Sequence, residues 1–271
     1  MNSSAPNARR PLANAPSRVP QPLRPVSDRN FERRLKVDFQ MAEANEQIRI
    51  QEAYAKRDFP GRYTFFEKSY LEMREEIERT IFRHFSAANI SDLGDLKILD
   101  IGCGSGGWLI DFIRWGAKPE NLFGVDLLAE RIALARHRLA GAHLTVGDAR
   151  ELPFSDAQFD IVLQSVVLSS VLSDENRAKI ASGMIRVTRP KGLILSYDFS
   201  FDNPKNPDVR AVKKAELEKL FSSCAEVRST KVTLAPPLAR SLVKKSRFLF
   251  WLANQVGFLK THLLISWRKQ I

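Results

Sequence analysis

The sequence is poor in cysteine, lacks long apolar runs and has no acidic residues near either end. Its two cysteines, Cys103 and Cys224, are too few for a disulfide framework and lack the neighbouring histidines of a zinc site. No apolar run approaches the roughly 18 residues of a membrane span, and the amino terminus lacks the apolar core of a secretory signal. We therefore expect a cytoplasmic protein without a bound metal.

Acidic residues are missing from the first 27 residues and from everything after Glu226. With 42 Lys and Arg against 31 Asp and Glu, the net charge is +11. Basic ends favour anionic partners such as nucleic acid, a phosphorylated substrate or a membrane surface, although basic tails also simply keep a protein soluble. Charge alone therefore leaves the partner open.

The composition divides the chain into a basic tail, a helical cap and an α/β domain. Residues 1–28 are rich in Pro, Ala, Asn, Ser and Arg without a helical or strand period, which predicts a disordered tail. Apolar residues at helical spacing predict a cap over 29–90, with helices at 31–56 and 66–85. The remaining residues, 91–271, are long enough for one α/β core.

Short apolar runs alternate with helical stretches in this last region, a pattern typical of βαβ units and a parallel sheet. Five strands are predicted, at 97–101, 122–125, 143–146, 159–164 and 192–197. Helices are predicted at 107–115, 129–139 and 175–187, and another at 207–221, where an Asn-Pro-Asp sequence offers capping signals. Two further strands, at 226–234 and 261–268, bring the sheet to seven and flank a basic amphipathic insertion at 237–256.

Residues 98–107 read Ile-Leu-Asp-Ile-Gly-Cys-Gly-Ser-Gly-Gly, a strand that runs into a glycine-rich turn and then a helix. Glycines allow a tight turn and let backbone amides approach a ligand at the carboxyl edge of a sheet. Gly102, Gly104 and Gly107 also satisfy the G-x-G-x-x-G pattern of dinucleotide enzymes. The turn therefore predicts a nucleotide-type ligand without deciding which one.

Three acidic residues follow or end successive predicted strands. Asp100 precedes the glycines, where a carboxylate suits the ammonium and sulfonium of S-adenosylmethionine (SAM) and would repel a pyrophosphate. Asp126 is placed to accept hydrogen bonds from ribose hydroxyls. Asp148, beside the small Ala149, is placed to accept one from an adenine amino group. Any one of them could be a helix cap, but together they favour SAM.

Residues 97–199 resemble the core of the class I SAM-dependent methyltransferases. The matching blocks are the glycine motif, Asp126, Asp148 with Leu152-Pro153-Phe154, Phe159-Asp160-Ile161-Val162 and Arg189-Pro190-Lys191-Gly192. The resemblance implies an α/β, Rossmann-like, doubly wound seven-stranded sheet, mostly parallel with a C-terminal antiparallel strand. It also implies a cofactor-binding set, namely Asp100, Gly102, Gly104, Asp126, Leu127, Asp148, Ala149 and Gln164.

Four further segments are similar to a bacterial methyltransferase subgroup associated with surface-glycan and secondary-metabolite genes. These segments are Arg62-Tyr63-Thr64-Phe65-Phe66, Tyr197-Asp198-Phe199, Asn206-Pro207-Asp208-Val209-Arg210 and Leu234-Ala235-Pro236-Pro237-Leu238-Ala239-Arg240. This likeness carries little chemistry. We predict that the acceptor is a hydroxyl of a glycan, a glycolipid or another small metabolite.

A hydroxyl acceptor benefits from a general base within hydrogen-bond reach. Asp198, after the fifth strand, and His262, at the start of the last, are the candidates at the carboxyl edge. Asp198 could instead cap the following loop, and a lone histidine such as His262 is often structural. The carboxylates and amide of Asp198, Asp202 and Asn203 lie too close together in one loop to predict a metal site.

Two other functions stay open. An RNA methyltransferase would fit the charge, but Gln164-Ser165-Val166-Val167 lacks the Asn/Asp-Pro-Pro-aromatic motif of exocyclic-amine methylation, and no RNA-binding module is visible. A non-catalytic scaffold would bind partners through its basic ends. The insertion at 237–256 contacts an anionic membrane as a peripheral helix, forms a substrate lid or packs on the sheet.

Overall fold

The computed structural model describes residues 46–54, 66–203 and 206–270. The predicted disordered tail at 1–28 lies outside these residues, as do 29–45 and 55–65 of the predicted cap, which include Arg62-Tyr63-Thr64-Phe65. Within the predicted helix at 31–56, residues 46–54 are helical and are called α1 here. None of the described helices is long and apolar enough to cross a membrane.

The sheet has seven strands in the order β3-β2-β1-β4-β5-β7-β6, which confirms the predicted fold. The strands are β1 (Ile98–Ile101), β2 (Leu122–Asp126), β3 (His143–Val146), β4 (Phe159–Ser165), β5 (Thr188–Phe199), β6 (Cys224–Leu234) and β7 (Lys260–Lys269). The first five pair in parallel, and β7 lies antiparallel between β5 and β6. Strands β2 and β3 extend the sheet on one side of β1, and β4 and β5 extend it on the other. At this reversal of strand order, between β1 and β4, a crevice forms in which open α/β folds bind ligands.

Helices cover both faces of the sheet. They are α2 (Lys68–Ala87), α3 (Gly107–Arg114), α4 (Ala129–Arg138), α5 (Asp174–Val187), α6 (Lys214–Leu220), α7 (Pro236–Lys245) and α8 (Arg247–Asn254). Successive strand residues alternate between the faces: Leu193 and Leu195 join the core beneath α2, α3 and α4, and Ile194 joins the core beneath α5 and α6. Each fully buried side chain of this size contributes about 1.5–3 kcal/mol.

The helix predicted at 207–221 is shorter in the structure. The Asn206 side-chain oxygen accepts a hydrogen bond from the Asp208 amide at 3.3 Å, which forms a turn and does not start a helix. The Val212 amide then donates to the Phe199 carbonyl at 2.8 Å. Because that amide bonds to another segment and not to its own preceding turn, α6 begins only at Lys214.

The predicted basic insertion at 237–256 forms two helices, α7 and α8. Ser246 breaks the helical path with an extended backbone, φ −163° and ψ 127°. Its side-chain oxygen then accepts a hydrogen bond from the Leu249 amide at 3.4 Å and so caps α8. The segment thus turns at Ser246 and presents two differently oriented surfaces.

Candidate active site

A pocket opens at the carboxyl ends of β1 to β4, where the sequence predicted the ligand. It has about 740 Å³ of empty space, part of it open to solvent, which lies within the range of small-molecule pockets. Of the predicted cofactor residues, five line it: Gly102, Asp126, Leu127, Asp148 and Ala149. The rest of the wall comes from the strand ends, from α1, from the loop between β4 and α5, and from residues of α4 and α5.

The glycine turn brings backbone to the wall of this pocket. Gly102 and Gly104 have φ values of 70° and 54°, in the left-handed region that glycine adopts without strain. A Cβ on Gly102 would lie 2.4 Å from Cγ2 of Val167, which is itself part of the wall. A side chain at position 102 would therefore push into the loop after β4. Gly104 does not line the pocket and instead supports Asp126.

The Asp126 carboxylate is fixed by backbone donors. It accepts hydrogen bonds from the Gly104 amide at 2.8 Å and from the Leu128 amide at 2.9 Å. Each carboxylate oxygen accepts more than one hydrogen bond, so acceptor capacity is left towards the pocket. The geometry suits a pair of ribose hydroxyls.

The Asp148 carboxylate accepts hydrogen bonds from the Arg150 amide at 2.8 Å, the Arg150 guanidinium at 2.7 Å and the Gln47 side chain at 2.7 Å. Burial would raise the pKa of Asp148, but these donors hold it below its usual value. Asp148 is therefore a fixed anion beside Ala149, where an adenine amino group could donate to it.

Asp100 is fully buried, and neither of its oxygens has a hydrogen-bond partner within the described part of the chain. Burial, and then the nearby charge of Asp126, raise the pKa of Asp100 well above its usual value. Asp100 does not line the pocket but stands two residues before Gly102, which does. A buried carboxyl without a donor is costly, and a cationic ligand at this turn would give it a partner. The residues present therefore fit SAM.

Helix α1, which belongs to the predicted cap, contributes wall residues that the sequence did not predict. Glu46, Gln47, Ile50 and Tyr54 line the pocket. The guanidinium of Arg131 lies 4.6 Å from the centre of the Tyr54 ring. Periodicity indicated a helix here, but it carries no information about what such a helix covers.

Hydrogen bonds tie α1 to the loop between β4 and α5. The Arg49 guanidinium donates to the Ser170 carbonyl at 2.6 Å, and the Tyr54 hydroxyl lies 3.1 Å from the Ser170 hydroxyl. The Glu46 carboxylate accepts from the Leu172 amide at 2.8 Å. Ser170 also lines the pocket and was not predicted, so α1 and this loop close one side of the site together.

A family model described as a methyltransferase domain matches residues 98–192. These residues contain the glycine turn, Asp100, Asp126 and Asp148. Residues 98–192 therefore match a methyltransferase domain. The cofactor that such a domain uses is SAM, the ligand that the pocket fits.

Curated relatives match over the same region. A phthiotriol/phenolphthiotriol dimycocerosates methyltransferase of Mycobacterium tuberculosis is 36% identical over 122 residues, which are 44% of this chain and 43% of the relative. A fatty-acid O-methyltransferase of Mycolicibacterium smegmatis is 34% identical over 127 residues, 46% of this chain and 45% of the relative. The matches thus span less than half the length of these relatives.

Solved structures share the fold at low identity. A Pyrococcus horikoshii protein has a TM-score of 0.56 at 18% identity, with 80% of this chain and 99% of that one covered. The cyclase SpnF has a TM-score of 0.54 at 17% identity, with 72% of this chain and 82% of that one covered. Because one of these neighbours is a cyclase, the fold by itself does not fix the reaction.

Gln164 lies within the matched residues 98–192, and Asp198 follows them. Both side chains are fully buried and do not line the pocket. The Gln164 amide donates to Asp198 at 3.1 Å, and its oxygen accepts from the Val167 amide at 3.0 Å. The Asp198 carboxylate also accepts from the Ser169 amide at 3.2 Å. These bonds hold the loop after β4, so the geometry does not place Gln164 on the cofactor.

The predicted role of Asp198 as a base that touches the acceptor has no geometric support either. Burial raises the pKa of Asp198 to about 6, against the lowering effect of its hydrogen bonds to Ser169 and Gln164. This pKa suits a base at neutral pH, but the side chain is enclosed. The structure favours the alternative in which Asp198 organises the neighbouring loop.

His262 is enclosed as well, with 4% of its surface exposed. Its ring stacks on Tyr197 at 4.9 Å between centroids and lies 4.1 Å from the Phe199 ring. Burial lowers the pKa of His262 to about 3, so the ring is neutral at physiological pH. This placement supports the structural alternative over the predicted catalytic role. Within the described residues, no group of His, Cys, Asp or Glu side chains is arranged to hold a metal ion.

Proposed function

We propose that this chain is a SAM-dependent methyltransferase that methylates an oxygen of a small acceptor, namely a hydroxyl of a glycan, a glycolipid or another small metabolite. The observation that carries the proposal is the set of three carboxylates at successive strand ends. Asp126 and Asp148 face the pocket as fixed acceptors, and Asp100 is buried without a partner. That combination matches a single ligand that has two groups of hydrogen-bond donors and one cationic group.

The bound cofactor supplies an electrophilic methyl group on a sulfonium. Asp126 would bind the ribose hydroxyls, Asp148 would accept a hydrogen bond from the adenine amino group, and Asp100 would be the carboxyl nearest the cationic end. Methyl transfer is an in-line displacement, so alignment and exclusion of water contribute most of the acceleration. Helix α1 and the loop after β4 close one side of the pocket and exclude water there.

The relatives favour a lipid-like acceptor. Their names refer to phthiotriol dimycocerosates, to fatty acids and, in Serratia marcescens, to malonyl-(acyl-carrier protein) with an O-methyltransferase activity. The last two names specify O-methylation, of a fatty acid and of a malonyl group. Among the acceptors proposed above, the glycolipid is therefore the first to test.

Calorimetric titration with S-adenosylhomocysteine, with NADH as control ligand, tests the cofactor. We expect micromolar binding of the former alone, and a more than tenfold loss in Asp126→Ala, since a hydrogen bond to a charged group is worth about 1.5–3 kcal/mol. Binding of NADH instead, or of neither ligand, would refute the assignment.

Transfer of label from radioactive SAM tests the reaction. Fatty acids, glycolipids, oligosaccharides and RNA serve as acceptors, and product is separated by solvent extraction and by nuclease digestion. Label in a nuclease-resistant product supports the proposal, whether the product is an extractable lipid or a water-soluble oligosaccharide. Label in RNA would replace it with RNA methylation, and cofactor binding without any label would favour a scaffold.

A further inference from the structure

Helix α8 leaves most of its apolar surface uncovered. Its residues Phe248, Leu249, Trp251 and Leu252 are 66%, 45%, 56% and 50% exposed, and Phe258 after the helix is 82% exposed. These five residues are called the apolar face below. Large exposed apolar groups in one short segment are unusual for a surface that meets only water and mark a site of interaction.

The packing of α8 explains why burial stops there. Phe250 alone among its large apolar residues is buried, in a small cluster with Leu234, Ala239 and Val243. The sequence Phe-Leu-Phe-Trp-Leu at 248–252 places apolar residues all around the helix, so one face packs on α7 and the others project outward. A helix that only covered the domain would need apolar residues on one side.

Basic side chains adjoin the apolar face. Arg240, Lys244 and Lys245 on α7 are exposed, and Arg247 at the start of α8 is 82% exposed while it forms a 2.9 Å ion pair with Glu72. No acidic residue occurs in the sequence after Glu226. Uncovered apolar groups flanked by cations are complementary to an anionic lipid layer.

We propose that the apolar face and the α7 cations dock this protein on an anionic membrane surface. Trp251 and the Phe side chains enter the boundary between headgroups and acyl chains, where amphipathic aromatic rings are favoured. Lys244 and Lys245 contact the anionic headgroups. The inference rests on exposure and charge and is independent of methyl transfer.

Topology places this surface at the edge of the sheet that carries the pocket. Because β6 is antiparallel to β7, and β7 to β5, the end of β6 at Leu234 lies at the carboxyl edge of the parallel strands. The segment that holds α7 and α8 leaves β6 there and returns into β7 at Lys260. Docking would thus turn the edge of the sheet at which the pocket opens towards the lipid.

Co-sedimentation with vesicles of phosphatidylcholine, alone or mixed with phosphatidylglycerol, tests the proposal on the full chain. We expect binding to the mixed vesicles only, weakened by rising NaCl. Lys244→Gln/Lys245→Gln should weaken it about thirtyfold, the effect of two lysines at about 1 kcal/mol each. Trp251→Ser/Leu252→Ser should weaken it at least about tenfold through lost apolar burial.

Matched controls change the same residue types elsewhere. Leu134→Ser removes an apolar side chain that is 52% exposed on α4, and Arg83→Gln/Lys118→Gln removes two cations from other exposed positions. Both controls should bind vesicles like the wild type, and circular dichroism and thermal unfolding show whether each variant is folded.

Equal binding to neutral vesicles, or equal loss in controls and face variants, would overturn the proposal. Sedimentation velocity tests the alternative that a second copy of this chain covers the apolar face. If Trp251→Ser/Leu252→Ser converts a dimer into a monomer and no protein binds vesicles, a second copy covers the face and the membrane proposal fails.

Discussion

Asp100→Asn is predicted to stabilise the ligand-free protein and to weaken cofactor binding. The buried Asp100 carboxyl has no donor among the described residues, and burial raises its pKa well above the usual value. A carboxyl with a raised pKa in the fold contributes stability that is fully present below its unfolded pKa, about 4, and is lost as pH rises through the folded pKa. The Asp100→Asn variant does not lose this stability as pH rises.

The gain should therefore be absent below about pH 4 and grow above it. An unpaired buried polar group costs about 1–3 kcal/mol, and asparagine retains part of that cost. We expect a net gain of about 1 kcal/mol near neutral pH, or roughly 2–4 °C in Tm for a domain of this size. Binding of S-adenosylhomocysteine, whose ammonium loses its anionic partner, should weaken roughly tenfold to a hundredfold.

Asp126→Asn is the matched control. Asp126 already accepts hydrogen bonds from the amides of Gly104 and Leu128, so replacing one of its oxygens with an amide nitrogen should lower Tm while it also weakens binding. Differential scanning calorimetry without ligand, and titration calorimetry with it, measure both effects. An Asp100→Asn protein that is no more stable than the wild type, or that binds ligand equally well, would refute the reasoning.

Two further changes test the enclosing elements. Gln47→Ala removes a donor to the Asp148 carboxylate and should weaken S-adenosylhomocysteine binding several-fold with little change in Tm, whereas unchanged affinity in titration calorimetry would remove α1 from the site. The pKa of Asp198 is raised to about 6, so wild-type stability should fall between about pH 4 and 6 relative to Asp198→Asn, by on the order of 2–3 kcal/mol. Urea unfolding across this range measures the difference, and parallel curves would contradict it.

The sequence predicted the fold, and the places of Asp126 and Asp148 within it, because both depend on local patterns. Strands and helices followed from apolar periodicity, and the order of alternation led to a parallel sheet with a crevice. Asp126 and Asp148 each end or follow a strand, so their place at the carboxyl edge follows from the alternation alone. Five of the eight predicted cofactor residues line the pocket.

The parts that the sequence did not predict depend on distant contacts. Gln47 meets Asp148 across 101 positions and Arg49 meets Ser170 across 121, and no periodicity encodes which helix face covers which loop. The α6 start was wrong for a related reason, because Val212 bonds to Phe199 across the loop and overrides the local capping signal.

The two enclosed carboxylates, Asp100 on β1 and Asp198 on β5, show how the fold treats buried charge. Both are fully buried at the carboxyl end of a strand. Asp198 receives donors from Gln164, Ser169 and its own neighbour Phe199, whereas Asp100 receives none within the described chain. The fold supplies hydrogen-bond donors to the buried acid Asp198, which lies two strands away from Asp100. The carboxyl of Asp100, without donors in the described chain, is therefore not explained by a general tolerance of buried acids. Its position next to the glycine turn argues that its partner is the ligand, and that stability is lower there in exchange for binding.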